Sequence, residues 1–448
     1  MRTRLLIEEL APGGEGVGRA GGRAVFVQYA APGDRVVADV PPGEGAAHGT
    51  LLEIEAPGAD RVSPPCRHFG ASPGAGPRSP DRECGGCEWL HVAYAAQLEA
   101  KARALAGALR RIGRLEPGAC ELRPIVPSPS PLRYRSRAKF HHDRASGRLV
   151  FFRRRSHEPV RLSECHLLVP GLDALREAVG PALASARLPA REVALEWSDE
   201  DGRGAAWVLL PEVTAASRAR AEQLLSAVPS LAGAVLQAEG GPPSIVGAPV
   251  LRHARVPGDP AAGRQRSRPD VFQQANRGAN ARLVEVAVGL LAPEGEDVLE
   301  LHCGAGNFTG PIAARARAVA AVEAQGPALD LARADQAERV AHGERGGEVR
   351  FFAGDALRMA AAFARERGPA ARRFGAALLD PPRDGARGIG PALRDLGIPR
   401  VVYVSCDPAT FARDLRACVE AGYRVATVVP VDMFPQTHHV EGVALLVR

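Results

Sequence analysis

At 448 residues with 46% hydrophobic side chains, the chain has room for roughly two to four domains with packed cores, and no run of about 18 uncharged apolar residues offers a membrane-spanning helix. The net charge of +6 and a pI near 9.1 allow a polyanionic partner without naming one, because the basic residues other than Lys101 and Lys139 are arginines and track an Ala/Gly/Pro-rich composition. MRTRLLIEELAPGG carries acids at Glu8 and Glu9 and reads as no secretory signal, so the cytoplasm is the expected compartment and the eight cysteines are expected as thiols, metal ligands or catalysts rather than disulfides.

Residues 1–60 read as short strands, LLIEEL, AVFVQYA, RVVADV and TLLEIEA, broken by Gly/Pro turns. That is the pattern of a small β-barrel, serving either as an oligonucleotide platform or as a spacer. Residues 61–90 are loop-like and hold Cys66, Cys84 and Cys87. QLEAKARALAGALRRIG (97–113) has an apolar stripe at Leu98, Ala102, Leu105 and Leu109, which predicts a helix. Residues 132–250 mix strands (RAKFHHD, RLVFFRR, AWVLLPE) with helices (GLDALREAVGPALASA, ASRARAEQLLSAV), an α+β segment. PGDPAAGRQRSRPD (257–270) reads as a polar connector and a boundary.

From about residue 271, strands DVLELHC, AVAAVEA, VRFFAGD, GAALLDPP and RVVYVSCDP alternate with helical segments. This predicts a doubly wound, Rossmann-like parallel sheet, making the chain an α/β protein. Two last apolar runs, YRVATVVPVDMF and VEGVALLVR, have a short link and fit an antiparallel hairpin at the sheet edge. The expected domains are a barrel over 1–60, a central α+β domain over 61–262 and the sheet domain over 263–448, with the helix over 95–115 a candidate to pack on the last of these.

In such a sheet, ligands bind beyond the carboxyl ends of the strands. LHCGAGNFTG places Gly304 and Gly306 where backbone must approach a ligand closely. Glu323 ends the second strand, suited to ribose hydroxyls, and Asp355 ends the third, suited to an adenine amino group. These features fit a nicotinamide dinucleotide fold equally well. LDPPRDGA adds Asp380 on a rigid Pro-Pro turn, an acceptor of the kind that methyltransferases acting on planar rings hold against their target.

VVYVSCDPATFARDL puts Cys406 at the exit of the fifth strand, with Asp407 as helix N-cap and Pro408 as first helical residue. The helix N-terminus is expected to lower the thiol pKa and favour thiolate. Cys303 and Cys418 lack that setting and read as packing residues. A thiolate that adds to C6 of a uracil makes C5 nucleophilic enough to take a methyl group, and a base must then remove the C5 proton. HHVEGVALL offers Glu441 for that step.

Together these residues resemble the RNA uracil-5-methyltransferase family, in particular its iron–sulfur members that act on ribosomal RNA. The resemblance spans almost the whole chain. It runs through F-x-Q-x-N (Phe272 to Asn276), CGxGNF (Cys303 to Phe308), LDPPR (Leu379 to Arg383), SCDP (Ser405 to Pro408) and HVE (His439 to Glu441). It implies S-adenosylmethionine as donor. Gln274, His302, Asn307, Glu323, Asp355 and Asp380 would line the cofactor and uracil site beside Gly304 and Gly306, with Cys406 as nucleophile and Glu441 as base. The sequence departs from the family at His302, where an aromatic is usual, and at Gly442, expected to loosen the backbone after the base.

The barrel looks like a TRAM domain, an RNA-binding module. Cys66, Cys84-Gly-Gly-Cys87 and Cys165, which opens CHLLVP, fit the family's four-cysteine pattern for a [4Fe–4S] cluster; four thiolates also suit a structural zinc. The 17 residues between Cys66 and Cys84 include GASPGAGPRSP, read as a flexible insertion that loop closure tolerates.

The target implied is a single-stranded or flipped-out uridine of RNA, 23S ribosomal RNA first and a tRNA loop second, met by a monomer with no obligate protein partner and no membrane. Arg133, Arg135, Arg137 and Arg153 to Arg155 are candidates for contact with its backbone. Three other readings remain. A nicotinamide-dependent dehydrogenase explains the glycine loop and Glu323 but not Cys406 with Glu441. A non-catalytic RNA-binding or iron–sulfur protein explains the barrel, charge and cysteines. A radical methylthiotransferase would need a CxxxCxxC motif, which the sequence lacks.

Overall fold

The computed structural model describes residues 1–70, 82–366 and 372–448. The insertion expected after Cys66 therefore lies, from residue 71 on, outside the described residues. The chain forms two compact units. The first comprises Met1–Ala104, Ser130–Pro249 and Phe434–His438; the second comprises Leu105–Pro129, Val250–Met433 and His439–Arg448.

The first unit begins with β1 (Arg2–Leu10), β2 (Gly16–Ala20), β3 (Arg23–Val27), β4 (Arg35–Asp39) and β5 (Ala47–Ala56). They close a barrel in the order β1-β2-β3-β5-β4 around Leu5, Ile7, Val25, Val27 and Val36. Strand β2 falls where the sequence reads as a turn. A Cβ on Gly16 would lie 2.6 Å from the Ala30 carbonyl oxygen, and one on Gly18 2.7 Å from that of Leu6. Neighbouring backbone crowds this strand, so glycine is required there and the usual β-formers are missing. Below the barrel, the fully buried Asp34 accepts from Ala31 N (2.6 Å) and Gly58 N (2.8 Å) and pairs with the Arg61 guanidinium at 2.7 Å.

Helix α1 (Tyr94–Arg111) follows, then β6 (Glu121–Leu122). The first unit continues with β7 (Arg137–Asp143), β8 (Arg148–Phe152), β9 (Pro159–Val160), α2 (Pro170–Ser185), β10 (Glu192–Ser198), β11 (Arg203–Leu210), α3 (Ala215–Ala227), β12 (Leu231–Ala238) and β13 (Ser244–Gly247). The sheet order is β13-β12-β11-β10-β7-β8-β9. Its β11–β12 pair is parallel because α3 carries the chain across between them. Leu172, Leu175 and Val179 of α2 pack with Phe140, Val193 and Val208 of the sheet.

The second unit opens with a hairpin, β14 (Leu251–Val256) and β15 (Asp259–Ser267). Its second strand occupies the stretch that the sequence presents as a polar connector, so that reading is corrected. The hairpin buries polar groups, His253, Gln265 and Ser267, with His253 Nε2 2.8 Å from Ser267 Oγ. Without an apolar face, the alternation that marks a strand is missing.

Then come α4 (Arg277–Leu291), β16 (Asp297–Leu301), α5 (Thr309–Ala313), β17 (Ala318–Glu323), α6 (Gly326–Ala341), β18 (Glu348–Ala353), α7 (Ala356–Arg365), β19 (Ala376–Leu379), α8 (Ile389–Leu396), β20 (Arg400–Ser405), α9 (Pro408–Glu420), β21 (Arg424–Val431) and β22 (Glu441–Val447). The sheet order is β18-β17-β16-β19-β20-β22-β21-β6. Strands β16 to β20 are mutually parallel, and the central β16, β19 and β20 are buried on both faces, as a sheet with crossover helices demands. Strand β22 runs antiparallel to both β20 and β21. The expected hairpin is present, but the edge itself belongs to β6, which pairs in parallel with β21. Among the described residues, no helix is long and apolar enough to cross a membrane.

Replacing Asp34 with alanine leaves two backbone N–H groups without their acceptor and Arg61 without its carboxylate. A loss of about 3–5 kcal/mol is expected, read as a lower urea midpoint by far-ultraviolet circular dichroism. A midpoint within error of the parent would refute this role.

Candidate functional site

The carboxyl ends of the parallel strands β16, β17, β18, β19 and β20 lie along one edge of the sheet, and the arrangement there starts with backbone. After β16 the chain turns through His302, Gly304 and Gly306 at φ of 62°, 55° and 82°. Glycine adopts this region freely, whereas His302 does so at a cost. Glu323 holds the turn: one oxygen accepts Gly304 N at 2.9 Å and the other Gln325 N at 2.8 Å. His302 lies within electrostatic reach of Glu323 and Asp355, and burial lowers its pKa, which favours a neutral ring. Asp355 is exposed and caps α7 by accepting Arg358 N at 2.9 Å.

Other expected residues take structural bonds. Asn307 exchanges amide hydrogen bonds with Asn280 at 2.8 and 3.0 Å, so its side chain is spent on α4. Gln274 is buried just before α4, while Asn276 caps that helix and donates to Ser128 Oγ and the Met433 carbonyl, each at 3.0 Å. Phe272 of the same motif is 73% exposed.

Sequence reasoning missed three residues here. Arg255 donates to the carbonyls of Gly306 (3.3 Å) and Asn307 (3.2 Å), bracing the glycine loop from the β14–β15 hairpin. Nothing in the local sequence marks it. Glu300, fully buried in β16, accepts from Thr309 Oγ1 at 2.6 Å, and burial raises its carboxyl to about 8. An acid inside an apolar strand was the available signal. Arg383, within LDPPR, faces the reactive groups described next.

The antiparallel register of β20 and β22 sets Ser405 opposite Gly442, which brings Cys406 and Glu441 to neighbouring positions at the end of the two strands. Cys406 is half-buried and Glu441 buried, and both lie within electrostatic reach of Asp380 and Arg383. Burial, reinforced by Asp380, raises Glu441 to about 8, and one of its oxygens has no hydrogen-bond partner. Burial raises Asp380 to about 7.

The expected cap is present: Asp407 Oδ1 accepts Ala409 N (3.0 Å) and Thr410 N (2.8 Å), with Pro408 opening α9. The expected lowering of the thiol pKa is not. Burial and the neighbouring Glu441 push Cys406 up to about 11, against a smaller opposing effect of Arg383.

Gly442 does not loosen the strand either. A Cβ there would lie 2.8 Å from the Phe411 ring, so glycine is needed for α9 to pack on the sheet. Cys303 and Cys418 are buried in packing positions, as expected.

In the first unit, Cys66, Cys84, Cys87 and Cys165 line one cavity of about 70 Å³ together with Arg135. Burial raises all four thiols, Cys84 to about 12, and Cys87 feels each of the other three. Among the described residues, no three His, Cys, Asp or Glu side chains gather closely enough for a single metal ion.

The arginines named for RNA contact are mostly paired within the unit. Arg153 meets Glu83 and Glu158 at 2.9 and 3.0 Å, Arg154 meets Glu88 at 2.8 Å, and Arg137 meets Glu196 at 3.9 Å. Arg133 sits 3.5 Å from Glu164, while Arg155 keeps 64% of its side chain exposed.

Residues 259–448 match the family described as tRNA (Uracil-5-)-methyltransferase, and residues 2–41 match the TRAM domain. The chain is 36% identical to the 23S rRNA (uracil(1939)-C(5))-methyltransferase RlmD of Pseudomonas entomophila, over 99% of this chain and 93% of that one. It is 32% identical to the protein of the same name from Nitrosospira multiformis, over 99% and 98%. The crystal structure of Pyrococcus abyssi tRNA (uracil-54, C5)-methyltransferase in complex with S-adenosyl-L-homocysteine shares the fold, with a TM-score of 0.72, 22% identity and full coverage of both chains.

Alkylation of Cys406 by iodoacetamide in the ligand-free protein, followed by peptide mass spectrometry, is expected to accelerate about tenfold per pH unit well past the usual thiol value of about 8.5. A plateau near that value would show that burial does not restrain the thiol.

Proposed function

The chain belongs to the RNA (uracil-5-)-methyltransferase family and is an S-adenosylmethionine-dependent enzyme, and we propose that it methylates C5 of a uridine in 23S ribosomal RNA through a covalent adduct on Cys406. The observation that carries this reading is the β20–β22 register, which pairs a thiol and a carboxyl at the ligand-binding edge of the sheet.

The Cys406 thiol gives up its proton to solvent, and the thiolate adds through sulfur to C6 of the uracil. The C5–C6 π electrons pass to C5 and the O4 enolate, and C5 then takes the methyl group from the sulfonium, leaving the neutral thioether product. Glu441 removes the C5 proton. The C5–H electrons re-form the double bond as the C6–S bond breaks, and the thiolate leaves. Asp380 supplies an acceptor at the ring. Glu323, Asp355, Gln274 and the His302–Asn307 loop hold the donor, the Asn307 side chain acting through Asn280.

Electrostatics supports a cationic donor. Cys406, Asp380 and Glu441 are all raised by burial, so their charged forms lack compensation beyond Arg383. A sulfonium supplies a positive charge, and its thioether product does not. Below about pH 7 the two carboxyls are neutral; as the pH rises through about 7 and 8 they ionise and gain attraction for the cation alone.

The four-cysteine cavity fits a [4Fe–4S] cluster better than zinc. Its buried thiols need a cationic centre to ionise, and a mononuclear zinc needs all donors within about 2.3 Å of one point. Cys66, Cys84, Cys87 and Cys165 would hold the group, which would tie their chain segments together. The reaction above is redox-neutral and passes no electrons through it.

The named relatives favour ribosomal RNA; the tRNA enzyme that shares the fold supports a tRNA uridine as second reading. The TRAM barrel supplies an RNA-binding surface, and the candidate site draws on one chain, so a cytoplasmic monomer suffices.

Mapping 5-methyluridine in total RNA with and without the gene tests the substrate: one 23S site is expected to vanish, and loss confined to tRNA would overturn the ribosomal assignment. Cys406→Ala is expected to abolish methylation and trapping by 5-fluorouridine RNA, and Glu441→Gln to slow turnover by about 10²–10⁴-fold. Retained turnover in either variant would refute the scheme. Calorimetry is expected to show preference for S-adenosylmethionine over S-adenosylhomocysteine growing about tenfold between roughly pH 6 and 9. A constant ratio would count against the charge argument.

A further inference from the structure

Strand β7 reads RAKFHHD, in which apolar Ala138 and Phe140 alternate with Arg137, Lys139 and His141. Side chains of successive strand residues point to opposite faces of a sheet. Phe140, Val193, Val208 and Leu236 turn to the face that α2 and α3 cover. Lys139 and His141 of β7, Phe152 of β8, Trp207 of β11 and Gln237 of β12 therefore share the opposite face.

That face carries two fixed aromatic platforms, both within the first unit. The rings of His141 and Phe152 lie nearly parallel, with centroids 3.8 Å apart and an interplanar angle of 11°, and His157 meets the edge of Phe152 at 5.5 Å. Burial lowers the His141 pKa, which favours the neutral ring that stacks. Trp207 is held from two sides: its indole N–H donates to Gln237 Oε1 at 2.7 Å, and Lys139 Nζ stands 5.7 Å from the ring centroid. Gln237 is itself fixed, donating through Nε2 to the Gly241 carbonyl at 3.0 Å. Ala194 of β10 pairs with both Lys139 and Trp207, and its side chain is too short to wall one platform from the other. Strands lie about 4.8 Å apart and rise about 3.4 Å per residue, so Trp207 and His141 are anchored about 12 Å from each other.

Charge on this face is ordered by depth. Lys139, Arg148 and Arg203 are exposed, Lys139 with 56% of its side chain. The acids lie lower. Glu192 pairs with Lys139, Glu196 is buried 3.9 Å from Arg137, and Asp143 accepts from Ser146 Oγ and Ala145 N. A polyanion laid on the face meets positive charge first, while its bases meet the rings. Sheets that read single-stranded RNA stack two or three unpaired bases on their aromatics in this way.

We infer that this sheet face is a single-strand RNA platform: Trp207 and the His141–Phe152 pair stack unpaired bases of the substrate, and the exposed cations of the face meet its phosphates. The rings are held in place before the RNA arrives, so little ordering is lost on stacking. The platform acts in capture of the strand and not in methyl transfer. The inference rests on the RNA reading proposed above and names where that RNA is held.

The experiment uses the full-length protein and two probes, a short oligouridine and a duplex RNA of equal length, with Kd read by fluorescence anisotropy. The parent is expected to prefer the single strand. Trp207→Ala and His141→Ala are each expected to weaken oligouridine binding about tenfold. Trp207→Phe is expected to restore most of the loss, because a ring returns. The dependence of Kd on salt is expected to keep its slope in these variants, since no phosphate contact is removed. The two positions lie on different strands, and an unchanged affinity for S-adenosylmethionine shows that each variant is folded. Oligouridine affinity equal to that of the parent, as a face that docks a protein would give, overturns the inference. So does an equal loss for duplex and single strand, or a Trp207→Phe variant as weak as Trp207→Ala. Failure of the underlying reading looks different: the parent itself would bind neither RNA.

Discussion

The Cys406 thiol and the Asp380 and Glu441 carboxyls are electrostatically coupled, with the Arg383 guanidinium as their opposing charge. Such groups are held neutral by burial until a ligand changes the field, and keeping them there is costly unless the surrounding fold is rigid. The second unit supplies that rigidity through close packing. Strands β16, β19 and β20 are almost wholly buried, Tyr403 is buried with its hydroxyl donating to Asp414 at 2.7 Å, and the Phe411 ring presses on Gly442. The reactive pair inherits its spacing from that packing through the β20–β22 register.

The glycine loop after β16 is braced from a distance in sequence. Arg255 reaches the Gly306 and Asn307 carbonyls, and Gln265 donates to that of Ala305 at 3.4 Å. Arg266 of the same hairpin pairs with Asp335 of α6 at 2.8 Å. A loop rich in glycine is conformationally free by itself, so an external brace is what makes its shape specific.

Much of this was legible in the sequence where one local rule decided the outcome. The parallel strands showed as apolar runs ending in Gly304, Glu323, Asp380 and Cys406, and Asp407 with Pro408 announced α9. Legibility failed where close approach or buried polarity set the structure. Strand β2 hid behind glycines that its neighbours require, and β15 behind the polar face of Gln265 and Ser267. The Cys406 thiol was misjudged because burial and the neighbouring Glu441, which raise it, are not visible in the local sequence. Asn307, expected at the cofactor site, closes its amide on Asn280, a partner 27 positions away that no local pattern indicates.

Strand β6 has a consequence for how the chain reaches this state. Its two residues cover the margin of β21, with Glu121 Oε2 accepting from Thr427 Oγ1 at 3.0 Å across 306 positions of sequence. Until so distant a segment arrives, β21 presents unpaired backbone donors and acceptors along a hydrophobic ribbon, a template on which a second nascent chain can assemble. Contacts of such long loop length form late. The risk of aggregation during synthesis is therefore concentrated in the interval between completion of the sheet and the docking of this short guard.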